Sequence, residues 1–503
     1  MISVKILITT LLVLPLMAWA GGSSFDVRNY GAIGDGTKLD TAALQQAIDT
    51  AANAGGGTVN FPSGRYLSGS LELKSHVTLE LEAGAILLGS PRLSDYHHGD
   101  YRGLLWADRQ QDFTVSGPGV IDGQGGELVA GTEAGDRPSH AKAGPRPMVI
   151  NFHNCTHITV QDITLQDSAS WVEDYRDCDH LTLKHITVRS MAALNNDGMD
   201  IDGCQQVVVR GCDIDSEDDG ICLKSKDRTC ADVLVENCRV RSSCNALKCG
   251  TESAGGFKNI TCRNLEIYDT YISAIALETV DGGEMANVRI SQVKITGTHN
   301  AIFIRLGHRN VNGAVGAIHG VTLEDITAEI PKLSPAGMNK FPVPDPYHTP
   351  ALITASITGL PGHPVQDVTL KNISILYGGI GPVPESAHKD WENPAGVPER
   401  PQHYPESKMF GTLPAWGFYC RHAEGLTFDN VTLSLQSADY RAAVVCDDVR
   451  NLGVDGLHVG TAGSAPVIVL DDVHGATIRN SAPPAGTTSF IKTMGRTENV
   501  QGP

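Results

Sequence analysis

A four-point apolar template, with residues at offsets 0, +2, +5 and +7, recurs along most of this 503-residue chain and leaves few folds open to it. It reads Ile158, Val160, Ile163, Leu165, then Leu181, Leu183, Ile186, Val188, then Val207, Val209, Cys212, Ile214. It starts again at Val233, Ile260, Val288, Val321, Val368, Leu426 and Leu452, with a degraded copy at Ala476. From Ile158 to Val288 the steps are 23, 26, 26, 27 and 28 residues; they lengthen to 33, 47 and 58 and then return to 26. A period of that size, with β-branched residues and turn residues in every unit, marks one coil of a solenoid. Leucine-rich repeats have similar periods, but their LxxLxLxxN signature is absent, and the apolar pairs alternate as strand residues do. The expected fold is all-β, a single-stranded right-handed parallel β-helix over residues 21–503.

Irregular coil lengths then acquire meaning, because residues beyond the minimal coil must leave as loops. Inserts near 296–320, 329–367 and 376–425 are expected to project. The last is rich in Pro and Gly yet holds Trp391, Tyr404, Phe410 and Trp416; a plain linker seldom carries so many aromatics, so a cleft wall with sugar-stacking rings is expected. Ahead of the repeat, Asp40 or Thr41 can cap a short helix with Ala43, Leu44, Ala47, Ile48 and Ala51 at helical spacing, ended by Gly55-Gly56-Gly57. This helix is expected to cover the amino-terminal end. Residues 1–20 combine Lys5, an apolar run from Ile6 to Met17 and Ala18-Trp19-Ala20, the pattern of a secretory signal peptide. No later stretch is apolar enough to span a bilayer, so a secreted or periplasmic protein is expected.

A net charge of -18 and a pI near 5.4 disfavour nucleic acid and anionic membranes as partners, without excluding an acidic polysaccharide that meets a local basic patch. Ten of the twelve cysteines lie between Cys155 and Cys262, several at one position of the repeat. Buried thiols acting as small hydrophobes and a disulfide framework both remain open. A zinc site is disfavoured, since no CxxC pair has matching partners.

The densest acidic cluster, Asn195 to Ser225, holds Asp197, Asp200 and Asp202, then Asp218 and Asp219. Strands in successive coils stack about 4.8 Å apart, so residues one coil apart sit over one another. Aligning Met199, Ile221, Leu247, Ile275 and Ile302 gives three columns. The first holds Asp197, Asp219, Asn245, Ser273 and Asn300; the second Asp200, Cys222, Lys248, Ala276 and Phe303; the third Asp202, Lys224, Gly250, Glu278 and Arg305. With Met199, Ile201, Ile221 and Leu223 inward, these columns are expected to face solvent on one side. Adjacent carboxylates repel, which raises the pKa of one and supplies a proton donor beside ionised acids, as glycoside hydrolysis requires. An Asp-rich turn and a calcium site with several carboxylate ligands are the other readings of these residues.

The stretch DVRNYGAIGDG, the RPMVINFHNC of Arg146 to Cys155, the NDG of Asn196 to Gly198 and the DDGICLKS of Asp218 to Ser225 resemble glycoside hydrolase family 28, the polygalacturonase family. The likeness covers residues 25 to 310 and, more loosely, the rest. It implies a right-handed parallel β-helix and inverting hydrolysis, with Asp218 as the acid and Asp197 and Asp219 holding the attacking water. The family's NTD element matches Asn195-Asn196-Asp197. Its Gly-His-Gly element falls near Cys244 to Lys248, where Asn245 stands for the histidine, and its Arg-Ile-Lys element falls on Ala276-Leu277-Glu278.

Both family cations are therefore missing, and Lys248 or Arg305 is expected to bind a sugar carboxylate from another direction, or the sugar is neutral. Glu278 would repel a carboxylate placed beside it. The substrate-binding candidates are Asn195, Asp200, Asp202, Lys224, Asn245, Lys248, Glu278 and Arg305. The leading reading is an exported hydrolase of pectin-type glycans containing uronic acid or rhamnose, acting from the chain end, monomeric, with no metal or cofactor. A β-helical lyase, with calcium on Asp200, Asp202 and Asp219 and Lys248 or Arg305 as base, and a non-catalytic glycan-binding protein are the alternatives.

Overall fold

A computed structural model describes residues 23–97, 99, 102–129, 146–331, 354–379, 392–460 and 465–503. It is a right-handed parallel β-helix. The template register is the observed register: Ile158, Leu181, Val207, Val233, Ile260, Val288, Val321 and Val368 pair in sequence through parallel strands, and Leu452 stacks on Ala476. These side chains are buried in one continuous core.

The odd three-residue step from +2 to +5 has a backbone cause. Strand alternation would send those two residues to opposite faces, but the residue at +4 takes a left-handed conformation and turns the chain. Asp162, His185, Asn237, Asn264, Asn372 and Asn430 all have φ between 50° and 58° there. A second corner, one residue before each template, is left-handed at His157, Asp232, Asn259 and Asn287. Asn and Asp tolerate this region better than other non-glycine residues. Their side chains also bond along the stack: Asn259 Nδ2 donates to Asp232 Oδ1 at 2.8 Å and Asn287 to Asn259 at 3.2 Å. At the other corner Asn372 donates to Asp325 and Asn430 to Asn372, each at 2.9 Å. In every case the later coil gives the hydrogen.

The stack begins before the first template copy. Ile158 pairs with Phe113, Thr114 with Thr78, and Leu79 with Val59. Phe113 lies 45 residues before Ile158, so the period does not reveal this coil. Helix α1, Thr41–Asn53, buries Leu44, Ala47, Ile48 and Ala51 against the strands Ser24–Asp26, Gly57–Phe61 and Leu71–Glu72 at the amino-terminal end. Neither expected cap serves the helix. The Asp40 carboxylate instead accepts the N–H groups of Ile33 and Gly34, both at 2.9 Å, and Thr41 Oγ1 accepts that of Gly69 at 2.8 Å.

The inserts are shorter than expected, because each contains a strand of the stack: Asn300–Leu306, Ala355–Thr358 and Ala415–Glu424 pair with one another in order. Residues 1–20, 332–353 and 380–391, with Trp391, lie outside the described residues. All twelve cysteines are free thiols, and all but Cys244 are buried, so the packing reading of the cysteines holds and the disulfide framework does not. No helix among the described residues is long and apolar enough to cross a membrane.

Candidate active site

Two turns at the start of adjacent coils carry the acids. Before the strand Met199–Asp202, the Asn196 carboxamide donates to the carbonyls of Ser168 (3.0 Å) and Ser170 (2.8 Å) and accepts from Ser190 Oγ (2.8 Å). That anchor aims Asn195 and Asp197 into the cleft. Before the strand Ile221–Lys224, Ser216 and Ser242 hydroxyls hold the Asp218 carbonyl at 2.9 and 2.6 Å. The glycine in each turn is enforced by close stacking: a Cβ on Gly198 would lie 2.5 Å from the Gly220 carbonyl oxygen.

The side chains then interlock. Asn195 Nδ2 donates to Asp218 Oδ2 at 3.2 Å, and Asp218 Oδ1 accepts the Asp219 N–H at 2.9 Å. Asp219 Oδ1 accepts the Asn245 N–H (3.1 Å) and Nδ2 (2.8 Å), while Lys248 Nζ sits 2.8 Å from Oδ2. Lys224 Nζ lies 3.3 Å from Asp200 Oδ1, 3.9 Å from Asp197 Oδ2 and 4.8 Å above the Trp171 ring. Asp197 Oδ1 has no hydrogen-bond partner among the described residues.

Electrostatics separates the acids. Burial, then the neighbouring Asp219, pushes Asp218 above the usual carboxylate range. Burial, with Asp200 and Asp218 beside it, pushes Asp197 well above that range. Burial acts the same way on Asp219, but Lys248, Lys224 and the bonds from Lys248 and Asn245 outweigh it, and its carboxyl falls below the range.

Two cavities of about 620 and 510 Å³ meet at Asn195, Asp218, Asp219 and Tyr404. The larger also touches Cys244, Asn245, Lys248, His403 and Glu406, and the smaller touches Arg146, Trp171, Asp197, Lys224 and Arg309. The structure thus brings Asn195, Asp197, Asp218, Asp219, Lys224, Asn245 and Lys248 together. It does not bring the other four candidates to the cleft, and the expectation that their columns face solvent is corrected. Asp200 lies fully buried beneath Lys224. Asp202 is tied to the Lys226 N–H at 2.8 Å and to Arg176 at 3.3 Å. Glu278 is fully buried and, by that burial, pushed up to about 8.

Arg305 is the clearest departure. Its guanidinium donates to the carbonyls of Gly359 (3.2 Å), Glu399 (2.6 Å) and Arg400 (3.4 Å) and lies 5.2 Å from the Phe410 ring centroid. The insert 392–410 covers the outer face of the sheet here, packing Met409 and Phe410 on Ala276 and Phe303. Among its aromatics, Tyr404 reaches the cleft, its hydroxyl 3.3 Å from Lys248 Nζ. Phe410 and Trp416 are buried.

The residue that sequence reasoning left without a role is Arg146, whose guanidinium donates to the Leu194 carbonyl and, at 2.8 Å, to Asn195 Oδ1. Its place in the RPM motif was the available signal. Trp171, Cys244, His403, Glu406 and Arg309 had none, since their partners lie on other coils or on the insert.

A parallel β-helix thus presents neighbouring carboxylates in a cleft walled by cations and aromatics, an arrangement suited to glycan cleavage. The chain belongs to glycosyl hydrolases family 28, whose model matches residues 56–332, more than half of it. A second family model, rhamnogalacturonase A/epimerase, pectate lyase-like, matches residues 24–86, which hold none of the cleft residues. The chain is 24% identical over 388 residues to the "Probable polygalacturonase" of Vitis vinifera, covering 69% of this chain and 73% of that protein. It is 21% identical over 387 residues to an exo-poly-alpha-D-galacturonosidase of Dickeya chrysanthemi, covering 62% and 64%. The crystal structure of a Thermotoga maritima exopolygalacturonase shares the fold, with a TM-score of 0.58 and 21% identity over 71% of this chain and 87% of that one. The protein is therefore a polygalacturonase-like glycoside hydrolase.

Proposed function

We propose that this enzyme is exported and hydrolyses pectin-type glycans, with an acidic sugar recognised beside the scissile bond. The observation that carries this reading is the cleft itself, where Asp197, Asp218 and Asp219 meet within reach of Arg146, Lys224, Lys248 and Arg309. Asp218, half-buried and with a raised pKa, gives its proton to the leaving glycosidic oxygen. Asp219, kept ionised by Lys248, takes the proton of the water, which Asp197 helps to hold in place.

Glu278 lines neither cavity, and burial pushes its carboxyl up to about 8. The cleft cations are unequal: Arg309 is held by Asp281 through two bonds of 2.9 Å, whereas among the described residues the hydrogen bonds of Arg146 go to neutral acceptors on Leu194 and Asn195. Arg146 is accordingly the cation assigned to a sugar carboxylate. Exo action is supported by the insert, which closes one side of the cleft with Tyr404.

Inverting stereochemistry rests on the family. Oxygens of Asp218 and Asp219 lie within 4.8 Å of each other, less than the roughly 6.5 to 9.5 Å that usually separates acid and base in inverting enzymes. The water is placed instead in the 510 Å³ cavity lined by both Asp197 and Asp219. Digestion of defined pectic oligosaccharides, with products followed by proton NMR from the first seconds, tests all of this. Hydrolysis from one chain end with an inverted anomer is expected. Retained configuration would reassign Asp219 or Asp197 as a nucleophile, and unsaturated, ultraviolet-absorbing products would mean elimination.

A further inference from the structure

His422 sits in the strand Ala415–Glu424, only 7% exposed, with a carboxylate at each of its ring nitrogens. Its Nδ1 lies 2.7 Å from Asp448 Oδ2 and its Nε2 lies 3.0 Å from Glu399 Oε1. The two acids belong to different elements. Asp448 stands one coil on, since Arg421 pairs with Asp447 and Ala423 with Val449; Glu399 belongs to the insert 392–410 and precedes Tyr404 by five residues. An ionised carboxylate offers only acceptors, and a neutral imidazole has one donor and one acceptor. Bridging two carboxylates therefore takes both N–H groups of the imidazolium. Burial favours the neutral ring, but the bonds to Glu399 and Asp448 outweigh it and raise the His422 pKa above the usual histidine value. Burial also acts on Glu399, yet the bond from His422 and the charges of Arg421 and Arg305 outweigh it and hold that carboxyl below its ordinary range, ionised as the bridge requires.

We propose that His422 is a pH-operated clasp: its imidazolium ties the insert to the coils through Glu399 and Asp448, and loss of that proton slackens the insert and the Tyr404 wall of the cleft. Whichever nitrogen gives up its proton turns a lone pair toward a carboxylate, so one bond becomes a repulsion. Around the ring, Arg421 on the same strand is shared between Glu399 at 2.7 Å, Asp447 at 3.0 Å and the Val397 carbonyl at 2.6 Å. Asp447 faces it from the following coil, Asp471 stacks on Asp447 in the next, and the coil before presents Gly359 beside Thr358. The acids hold the proton on the ring, and Arg421 works against it. Arg305, two coils back, and Arg421 keep the insert attached at either pH, so the clasp adjusts the fit of the wall and does not release it. Because folding raises this pKa, the contribution of the clasp is fully present below about pH 6.5 and is lost as pH rises through the folded value. Tyr404, whose hydroxyl lies 3.3 Å from Lys248 Nζ and which lines both cavities, carries the change to the substrate.

The test follows amide protection over 399–410 in the full chain, without substrate, from about pH 5.5 to 9, with exchange corrected for its intrinsic pH dependence. Protection there should fall about three- to tenfold across one titration, the worth of a single net hydrogen bond, while the neighbouring coils stay level. KM for a pectic oligosaccharide should rise over the same interval by more than kcat falls. In His422→Gln both steps should be absent, with protection at the lower level throughout. Glu399→Gln takes one acid away from the ring, so its step should shrink and move to lower pH; this variant decides the question if His422→Gln does not fold. A step of unchanged midpoint and size in either variant, or no step in the unmodified chain, overturns the clasp. A step in protection with KM unmoved overturns its link to the cleft.

Discussion

Four carboxylates, Asp197, Asp200, Asp218 and Asp219, share one wall with two ammonium groups, Lys224 and Lys248. Lys248 is committed to Asp219 at 2.8 Å and Lys224 lies nearest Asp200 at 3.3 Å, which leaves Asp197 and Asp218 without a dedicated cation. Like charges at that range cannot all persist, and a proton is retained between them. Asp218→Asn keeps the shape and the bond from Asn195 but cannot donate a proton, so kcat should fall by about 10² to 10⁴ with glycan binding nearly intact. Retention of more than about a tenth of the activity would mean another group protonates the leaving oxygen. Lys248 makes the complementary case. The acid limb of the pH profile reports loss of ionised Asp219, whose pKa Lys248 lowers. In Lys248→Met that pKa rises, so the limb should move to higher pH, toward neutrality, in a kcat/KM profile; an unmoved limb would show that another carboxylate sets it.

The insert over 392–410 is the element that turns a β-helix face into a cleft, and Arg305 helps to fasten it, together with Arg421 and His422. Three backbone carbonyls, two of them in the insert, take this guanidinium, and a buried carbonyl left unpaired costs about 1 to 3 kcal/mol. In Arg305→Met, hydrogen exchange should quicken across 399–410 while amides of the neighbouring coils stay protected. KM should rise several-fold more than kcat falls, because Tyr404 loses its fixed place. A change in kcat with exchange unaltered would place Arg305 at the substrate after all. This element also shows why the site was only partly readable beforehand. Asp197, Asp219, Asn245 and Lys248 fell together because a fixed coil stacks residues one period apart. Arg305 lies in the same register, yet its partners are carbonyls of an insert with no period, so the alignment placed its Cα correctly and its role wrongly. Glu278 was misread for the same reason, since nothing in the columns reveals that an insert covers them.

Across the whole molecule, the solenoid buries acids that a closed domain of ordinary composition would keep outside. Glu173 stacks beneath Met199 in the inward column, fully buried, with the Tyr175 hydroxyl donating to it. Burial pushes its carboxyl up to about 8, and Asp200, Glu217 and Glu278 reach about 8 by the same cause. The folded state therefore holds these protons more tightly than the unfolded chain, where carboxyls titrate near 4. Their contribution to stability is fully present below about pH 4 and is lost as pH rises toward 8. The melting temperature should accordingly decline between pH 5 and 8, and Glu173→Gln should flatten part of that decline. An identical slope in the variant would show that Glu173 is already ionised in the fold. The coils themselves were legible because every one repeats the same inward pairs; Glu173 was not, since a charged residue at an inward position breaks the pattern by which inward positions are found.

The corner rows have a sense of direction. Asn259 and Asn287 above Asp232, like Asn372 and Asn430 above Asp325, all point their NH₂ ends toward the amino terminus. Their dipoles add along the axis, and these two rows start at a carboxylate, which has no hydrogen to give and meets the positive ends with a full negative charge. Every bond polarises the next. Exchanging the order, with Asn below and Asp above, would force that Asn to turn its NH₂ end the other way to meet the carboxylate. The uppermost carboxamide of each of these two rows, on Asn287 and Asn430, therefore turns its oxygen toward the coil that follows, and the side chains give the stack an electrical polarity along its axis.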